Sequence, residues 1–219
     1  MKWVKVEFAD KLYPESLREI KYPPKSLYVE GDLSLLEERK MIAVVGTRKM
    51  TREGKEITRK MVGGLVKQGW VIVSGLARGV DRVAHEECLR WGGKTIAVLA
   101  HGLDMTYPRE NQWLRKRIVR SGGLVVSEYE VGVKPEPKKF AIRNRIVAGL
   151  SQAILVTESY AKSGTKITVG FALDQGKDVF VVPGLPDKPS FRGNIEMIQE
   201  GAWPILDVEE IMVRVRPLP

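Results

Sequence analysis

Apolar and polar positions alternate between two textures along this chain. Short, unbroken apolar runs rich in β-branched residues occupy 41–45, 70–73, 95–99, 124–126, 153–157 and 179–182. Between them, residues 53–67, 80–91, 110–120, 140–149 and 167–175 repeat apolar side chains at helical spacing. A run that does not alternate predicts a strand buried on both faces. Strand, helix and strand in repeated succession predict right-handed βαβ units around a parallel sheet. The fold class is therefore α/β: an extended Rossmann-like three-layer sandwich with a mainly parallel sheet. Residues 1–40 break the rhythm with Tyr13-Pro14, Tyr22-Pro23-Pro24 and Gly31-Asp32. They predict a lead-in of short helical pieces packed on a core domain spanning 41–206. A tail, 207–219, carries one short helix before Pro217.

Composition narrows the function classes. Of 219 residues, 36 are Lys or Arg and 27 are Asp or Glu, a net charge of +9. One cysteine, Cys88, excludes an internal disulfide and a cysteine-cluster zinc site. With His85 and His101 as the two histidines, no metal or other cofactor is expected. No apolar run approaches a membrane span, and the charged start argues against a signal peptide, so a cytoplasmic location is expected. The positive charge is not spread evenly. Residues 47–60 and 134–145 together hold +8 of the +9. Clustering of this kind points to a polyanionic partner.

The loops that follow the strands carry the candidate chemistry, because ligands of open parallel sheets bind outside the strands' carboxyl ends. After the first core strand comes Gly46-Thr47-Arg48: a glycine that lets amides approach an anion, then a guanidinium suited to phosphate. The spacing lacks the G-x-G-x-x-G of dinucleotide enzymes. A second small-residue cradle, Ser74 and Gly75 with Arg78, Gly79 and Asp81, precedes a helix on which Asp81 and His85 share a face. His85 has no evident nucleophile beside it and is read as a structural, hydrogen-bonded histidine. A third cradle, Ser163-Gly164-Thr165, opens another helix. The segment Lys138-Lys139-Phe140 with Arg143, Asn144 and Arg145 interleaves cations with one ring, the pattern that grips single-stranded nucleic acid. Phe140 reads equally as a core residue. Arg143 and Arg145 lie two apart, so on a helix they diverge by about 200°; one is expected to face the loops and the other to form an internal ion pair.

These motifs, in this order, resemble the DprA/Smf family of DNA-processing proteins. The likeness rests on Val45-Gly46-Thr47-Arg48, on residues 74–81 with Ala84-His85, and on Gly102-Leu103-Asp104 with Tyr107-Pro108 and Asn111. It continues through Ser127-Glu128, Phe140 with residues 143–145, 163–165, and Val182-Pro183-Gly184. The resemblance implies an extended Rossmann fold that binds single-stranded DNA and often forms a homodimer. It implies a role in protecting incoming strands during natural transformation and in loading a RecA-type recombinase, with no known catalytic reaction. Arg48, Phe140, Lys138, Lys139 and Arg143 or Arg145 would make the DNA pocket, with amides around Gly46 and Ser163–Thr165 on phosphates. Flanking helical and winged-helix domains, frequent in the family, are not expected in so short a chain. Ala100-His101 and Val169 depart mildly from the family's usual residues.

Two rival classes remain open. The fold also resembles nucleotide hydrolases of the wider SLOG superfamily, for which Glu128 and Glu158 would serve as a carboxylate pair. The loop 162–169 lacks their Pro-Gly-Gly pattern, and both glutamates are expected instead to hydrogen-bond the arginines of the basic segment. A small-nucleotide sensor using the same cradles is the other. A homodimer surface is sought near Met197, Ile198 and Trp203.

Overall fold

The computed structural model describes residues 3–215. The strands are β1 (Val4–Glu7), β2 (Ser26–Gly31), β3 (Met41–Val45), β4 (Val71–Ser74), β5 (Thr95–Leu99), β6 (Leu124–Ser127), β7 (Ala153–Val156), β8 (Asp178–Val181) and β9 (Trp203–Pro204). The helices are α1 (Glu15–Arg18), α2 (Arg52–Lys67), α3 (Val80–Arg90), α4 (Gln112–Arg120), α5 (Pro137–Leu150), α6 (Thr165–Asp174), α7 (Arg192–Gln199) and α8 (Glu209–Arg214). The strands join one sheet in the order β1-β2-β6-β5-β4-β3-β7-β8-β9. β1 and β2 pair antiparallel and β2 meets β6 antiparallel; the other pairings are parallel.

Strand residues alternate between two helical layers. Ile42, Val44, Ile72, Leu155 and Phe180 pack with Met61, Leu65, Ala84 and Cys88 of α2 and α3. Ala43, Val45, Val73, Val98 and Val156 face the other way, against Ile146, Val147 and Leu150 of α5 and Val169 and Ala172 of α6. A satellite cluster sets Leu114 and Ile118 of α4 on Leu99 and Val125. Both faces of the central strands are buried, which is why their sequences read as continuous apolar runs. The order reverses at β3, whose neighbours are β4 and β7. The carboxyl ends of β3 and β7 therefore flank the crevice where such sheets hold ligands.

Three expectations need correction. The lead-in is not only helical pieces: β1 and β2 extend the sheet, and Leu17 is buried so tightly against α5 that a Cβ on Gly149 would lie 2.5 Å from it. A four-residue exposed edge strand such as β1, and the short β2 beside it, carry too weak an alternation to be read. α5 begins at Pro137 and not near Phe140, because proline is well tolerated in a helix's first turn. Residues 109–111 form a 3-10 turn ahead of α4. The tail helix is α8; Pro217 lies outside the described residues. Among the described residues no helix is long and apolar enough to cross a membrane.

His85 is fully buried on α3 and bonds Thr95 Oγ1 through Nδ1 at 2.7 Å. The Thr95 hydroxyl gives its proton to the Ile72 carbonyl at 2.7 Å, so it accepts from His85, whose proton the network assigns to Nδ1. Nε2 is left without a partner. Burial pushes the imidazole pKa down to about 3, the nearby Arg143 charge acting the same way. The neutral ring is thus built into the fold, whereas in the unfolded chain it takes up a proton below its ordinary pKa of about 6.5. Stability is expected to fall as pH drops from about 6.5 toward 3, by up to about 1.4 kcal/mol per pH unit from this group. Urea unfolding between pH 7 and 4 checks it: the His85→Asn variant should show a shallower decline than the parent.

Candidate nucleic-acid interface

The strand-end loops at the β3/β7 crevice are locked to one another before any ligand arrives. Gly46 sits where a Cβ would lie 2.4 Å from Val80 and 2.6 Å from the Glu158 carbonyl. Thr47 N–H donates to that carbonyl at 2.8 Å, and the Thr47 carbonyl accepts from Val80 N–H at 3.1 Å. Gly79 has φ +71, and a side chain there would strike the Thr47 carbonyl. These contacts fix the first loop against the start of α3 and the segment just after β7 and leave Arg48 exposed at its tip.

Below the second loop lies an internal cation. Arg143 is 4% exposed; Nη1 donates to the Gly75 carbonyl at 2.9 Å and to the Val98 carbonyl, and Nε donates to Asn144 Oδ1 at 3.1 Å. Gly75 has no side chain because one would overlap this guanidinium. The Asp81 carboxylate accepts from Gly75 N–H at 3.1 Å and Ala77 N–H at 3.3 Å. Burial pushes Arg143 down to about 10, opposed by the Asp81 charge, and burial likewise raises Asp81 against the pull of Arg143.

The loops, α5 and the segment 160–168 enclose an open cavity of about 1050 Å³. Gly46, Thr47, Arg48, Lys49 and Gly75 line one side; Phe140, Arg143, Asn144 and Ser163–Thr165 line the other. The Arg48 guanidinium sits 5.3 Å from the Phe140 ring centroid, and Tyr107 lies 5.4 Å beyond at 53°. Arg48, Phe140 and Tyr107 so form a cation–aromatic layer, with Ala77, Arg78 and Pro108 around a smaller hollow beside it. Phe140 is half-buried in this layer, between the two expected alternatives. At the third cradle Ser163 Oγ accepts from Thr165 N–H at 3.2 Å and meets Thr165 Oγ1 at 2.8 Å, capping the start of α6.

Several predicted site residues do other work. Arg145 makes a bidentate pair with Glu128 at 2.7 and 2.6 Å and donates to the Tyr22 carbonyl, so it is the internal partner and Arg143 the one facing the loops. Among the described residues Glu158 bonds no arginine. Its carboxylate accepts from Thr51 Oγ1 at 2.7 Å and Thr51 N–H at 3.0 Å at the start of α2, where negative charge suits the helix end. A Cβ on Gly54 would collide with it. Lys139 donates to Glu136 at 2.8 Å and to the Lys134 carbonyl, and neither it nor Lys138 lines the cavity. Arg78 forms a fork with Glu110 at 2.7 and 2.8 Å, and Ser74 is buried on the Val44 carbonyl. Tyr107, noted in the sequence only as part of the family likeness, and Lys162 and Arg192 were given no site role from the sequence yet border the cavities. Their signal was position alone, Tyr107 and Lys162 within strand-end loops and Arg192 at the start of α7, with no charge run to mark it.

The class defined by this arrangement is a Rossmann-like protein with amide and hydroxyl cradles at the switch point of its sheet and one stacked ring among cations. A family model described as DNA recombination-mediator protein A matches residues 5–216, and the chain belongs to that family. Protein Smf of Synechocystis is 45% identical over 94% of this chain and 52% of its own length. DNA processing protein DprA of Bacillus subtilis is 39% identical over 94% of this chain and 69% of its own. The chain thus spans about half the length of the first relative and about seven-tenths of the second. Among solved structures, DprA of Streptococcus pneumoniae superposes with TM-score 0.93 at 38% identity, over all of this chain and 76% of that one. A Helicobacter pylori structure, described by its single-stranded DNA binding mode, gives 0.87 at 32% identity over 97% and 95%. A molybdenum cofactor binding protein from Rippkaea orientalis shares the fold alone, at 0.55 and 18%.

Replacing Arg143 by Met should remove the bonds to the Gly75 and Val98 carbonyls and leave Asp81 without its buried countercharge, costing about 3 kcal/mol. Adding Asp81→Asn should return part of that loss. Guanidinium denaturation midpoints check both; a single-variant cost below about 1 kcal/mol would show that the loop is held otherwise.

Proposed function

We propose that the cavity at the β3/β7 crevice binds single-stranded DNA without altering it covalently. The carrying observation is the layer of Arg48, Phe140 and Tyr107 at its mouth, since a base stacked on Phe140 would bring its phosphate to Arg48. Arg48, Lys49 and Lys162 line the cavity free of ion pairs among the described residues, while the amides and hydroxyls around Gly46 and Ser163–Thr165 offer donors to further phosphates. Glu128 and Glu158 are both engaged, which disfavours a hydrolase that works through that pair. The Helicobacter pylori relative's binding of single-stranded DNA supports the same reading.

Family membership extends the proposal: the protein acts in the cytoplasm as a recombination mediator, protecting strands and loading a RecA-type recombinase during transformation, as a homodimer. Around the expected dimer surface Met197 is buried, Ile198 is partly so, and Trp203 is exposed under the Arg214 guanidinium at 3.8 Å. Sedimentation at micromolar concentration should give twice the 24.6 kDa of one chain; a monomer dismisses the dimer.

With about three phosphates neutralised, log affinity against log salt should slope near −2, from ~0.7 per phosphate. Arg48→Ala should flatten that slope by about 0.7 and weaken all sequences alike. Phe140→Ala should cost about 1–3 kcal/mol with the slope nearly unchanged. Fluorescence anisotropy with labelled oligo-dT across a salt series measures both, and unchanged affinity in both variants overturns the assignment.

A further inference from the structure

A second basic surface lies outside the cavity, on α4. Its sequence, Gln112–Arg120, holds four basic residues and no acid. At 100° per residue, Trp113, Lys116, Arg117 and Arg120 fall within an arc of about 100°, while Leu114, Arg115 and Ile118 face the opposite way into the protein. Arg115 is buried with Glu30 at 2.6 Å and belongs to the interior. The other three cations are exposed, and none forms an ion pair among the described residues. This sets α4 apart from its neighbour α3, where Arg82 pairs with Glu86 at 2.6 Å and Arg90 approaches Glu87 at 3.6 Å. An ordinary solvated face mixes signs in that way; the α4 face does not. Trp113, 44% exposed, stands at its head with the Arg82 guanidinium 5.6 Å from the ring.

Topology joins this stripe to the cavity. β5 ends at the ligand edge of the sheet, and the loop after it brings Tyr107 and Pro108 into the hollow beside Phe140. Asn111 pins that loop by donating to the Leu76 and Ala77 carbonyls at 2.9 and 3.2 Å. α4 then starts at the rim and runs back along the flank, about 13 Å from end to end at 1.5 Å per residue.

We infer that the stripe Trp113–Lys116–Arg117–Arg120 is an exit track for the polynucleotide that leaves the cavity past Tyr107, its cations holding phosphates of the same strand and Trp113 meeting a base near the rim. The inference rests on the single-stranded DNA reading and adds a second binding segment to it. Continuity with the rim and the presence of a ring among unpaired cations favour a nucleic-acid strand over an acidic protein surface.

The test compares oligo-dT of about six nucleotides, long enough for the cavity alone, with oligo-dT of roughly twenty. Binding of the short strand by the parent protein checks the cavity reading by itself. In the variant K116Q/R117Q/R120Q the short-strand affinity should stay within about twofold. The long-strand affinity should fall at least about tenfold near 0.1 M salt, with its salt slope reduced by about 2. Trp113→Ala should weaken the long strand with its slope retained. Circular dichroism confirms that the variants fold; should the triple variant not fold, K116Q and R120Q singly should each remove about 0.7 from the slope. An unchanged long-strand affinity overturns the track and assigns the stripe to an acidic protein partner. Equal weakening of both lengths also overturns it, since the charges would then act on the cavity itself.

Discussion

A guanidinium taken out of water, with two carbonyls to receive it, is the constraint on which the ligand edge of this molecule depends. Arg143 leaves the amino-terminal half of α5 and ends beneath the loop at Gly75, drawing that loop and the end of β5 onto one helix. Asp81 holds the same loop from the other side through its amides. A buried cation of this kind is costly unless its donors are satisfied and a countercharge is near. The arrangement meets both conditions and in return fixes the spacing between two strand-end loops from helices on opposite faces of the sheet. The neighbouring loop is held in the same spirit, by Thr47 on the Glu158 carbonyl and by Glu158 itself on the start of α2. The cavity is therefore shaped before binding, which lowers the ordering cost that a ligand must overcome.

The division between buried and free charge follows from this. Arg143, Arg145, Glu128, Asp81 and Glu158 form the scaffold, while Arg48, Lys49 and Lys162 remain in solvent around the opening. Charges of the first kind set geometry and are insensitive to salt; those of the second kind attract a polyanion and are screened by it. The basic segment 138–145 mixes both kinds within eight residues, and the turn of the helix sorts them.

Much of this was legible in the sequence. The continuous apolar runs at 41–45, 95–99 and 153–157 placed central strands because nothing polar interrupts a strand covered on both faces. The loops Gly46-Thr47-Arg48 and Ser163-Gly164-Thr165 were placed at strand ends because small and hydroxyl residues follow the apolar runs there, and the structure brings both to the same cavity. The edge strands β1 and β9 escaped, since a short exposed strand has no clear period, and β2 escaped with its partner β1 because prolines and turns break up the lead-in around it. The pairing of Glu128 with an arginine of the basic segment was legible, but that Glu158 takes Thr51 instead depends on a contact 107 residues apart, which spacing does not encode. The charge windows at 47–60 and 134–145 accounted for nearly the whole net charge, and so the uncompensated α4 face went unseen; acidic residues elsewhere offset it in the sum.

One more consequence lies in Cys88. It sits at the back of α3 among Met61, Leu65 and Trp70, its thiol bonded to the Lys94 carbonyl at 3.2 Å, and burial pushes its pKa up to about 12. A thiol so protonated and enclosed is inert toward maleimides and mild oxidants. The native chain is thus already a background for spectroscopy among its described residues: a cysteine introduced on the surface becomes the group that reacts. A fluorophore or spin label can then be set beside the cavity, and the passage of a strand followed in real time, with no native residue first removed.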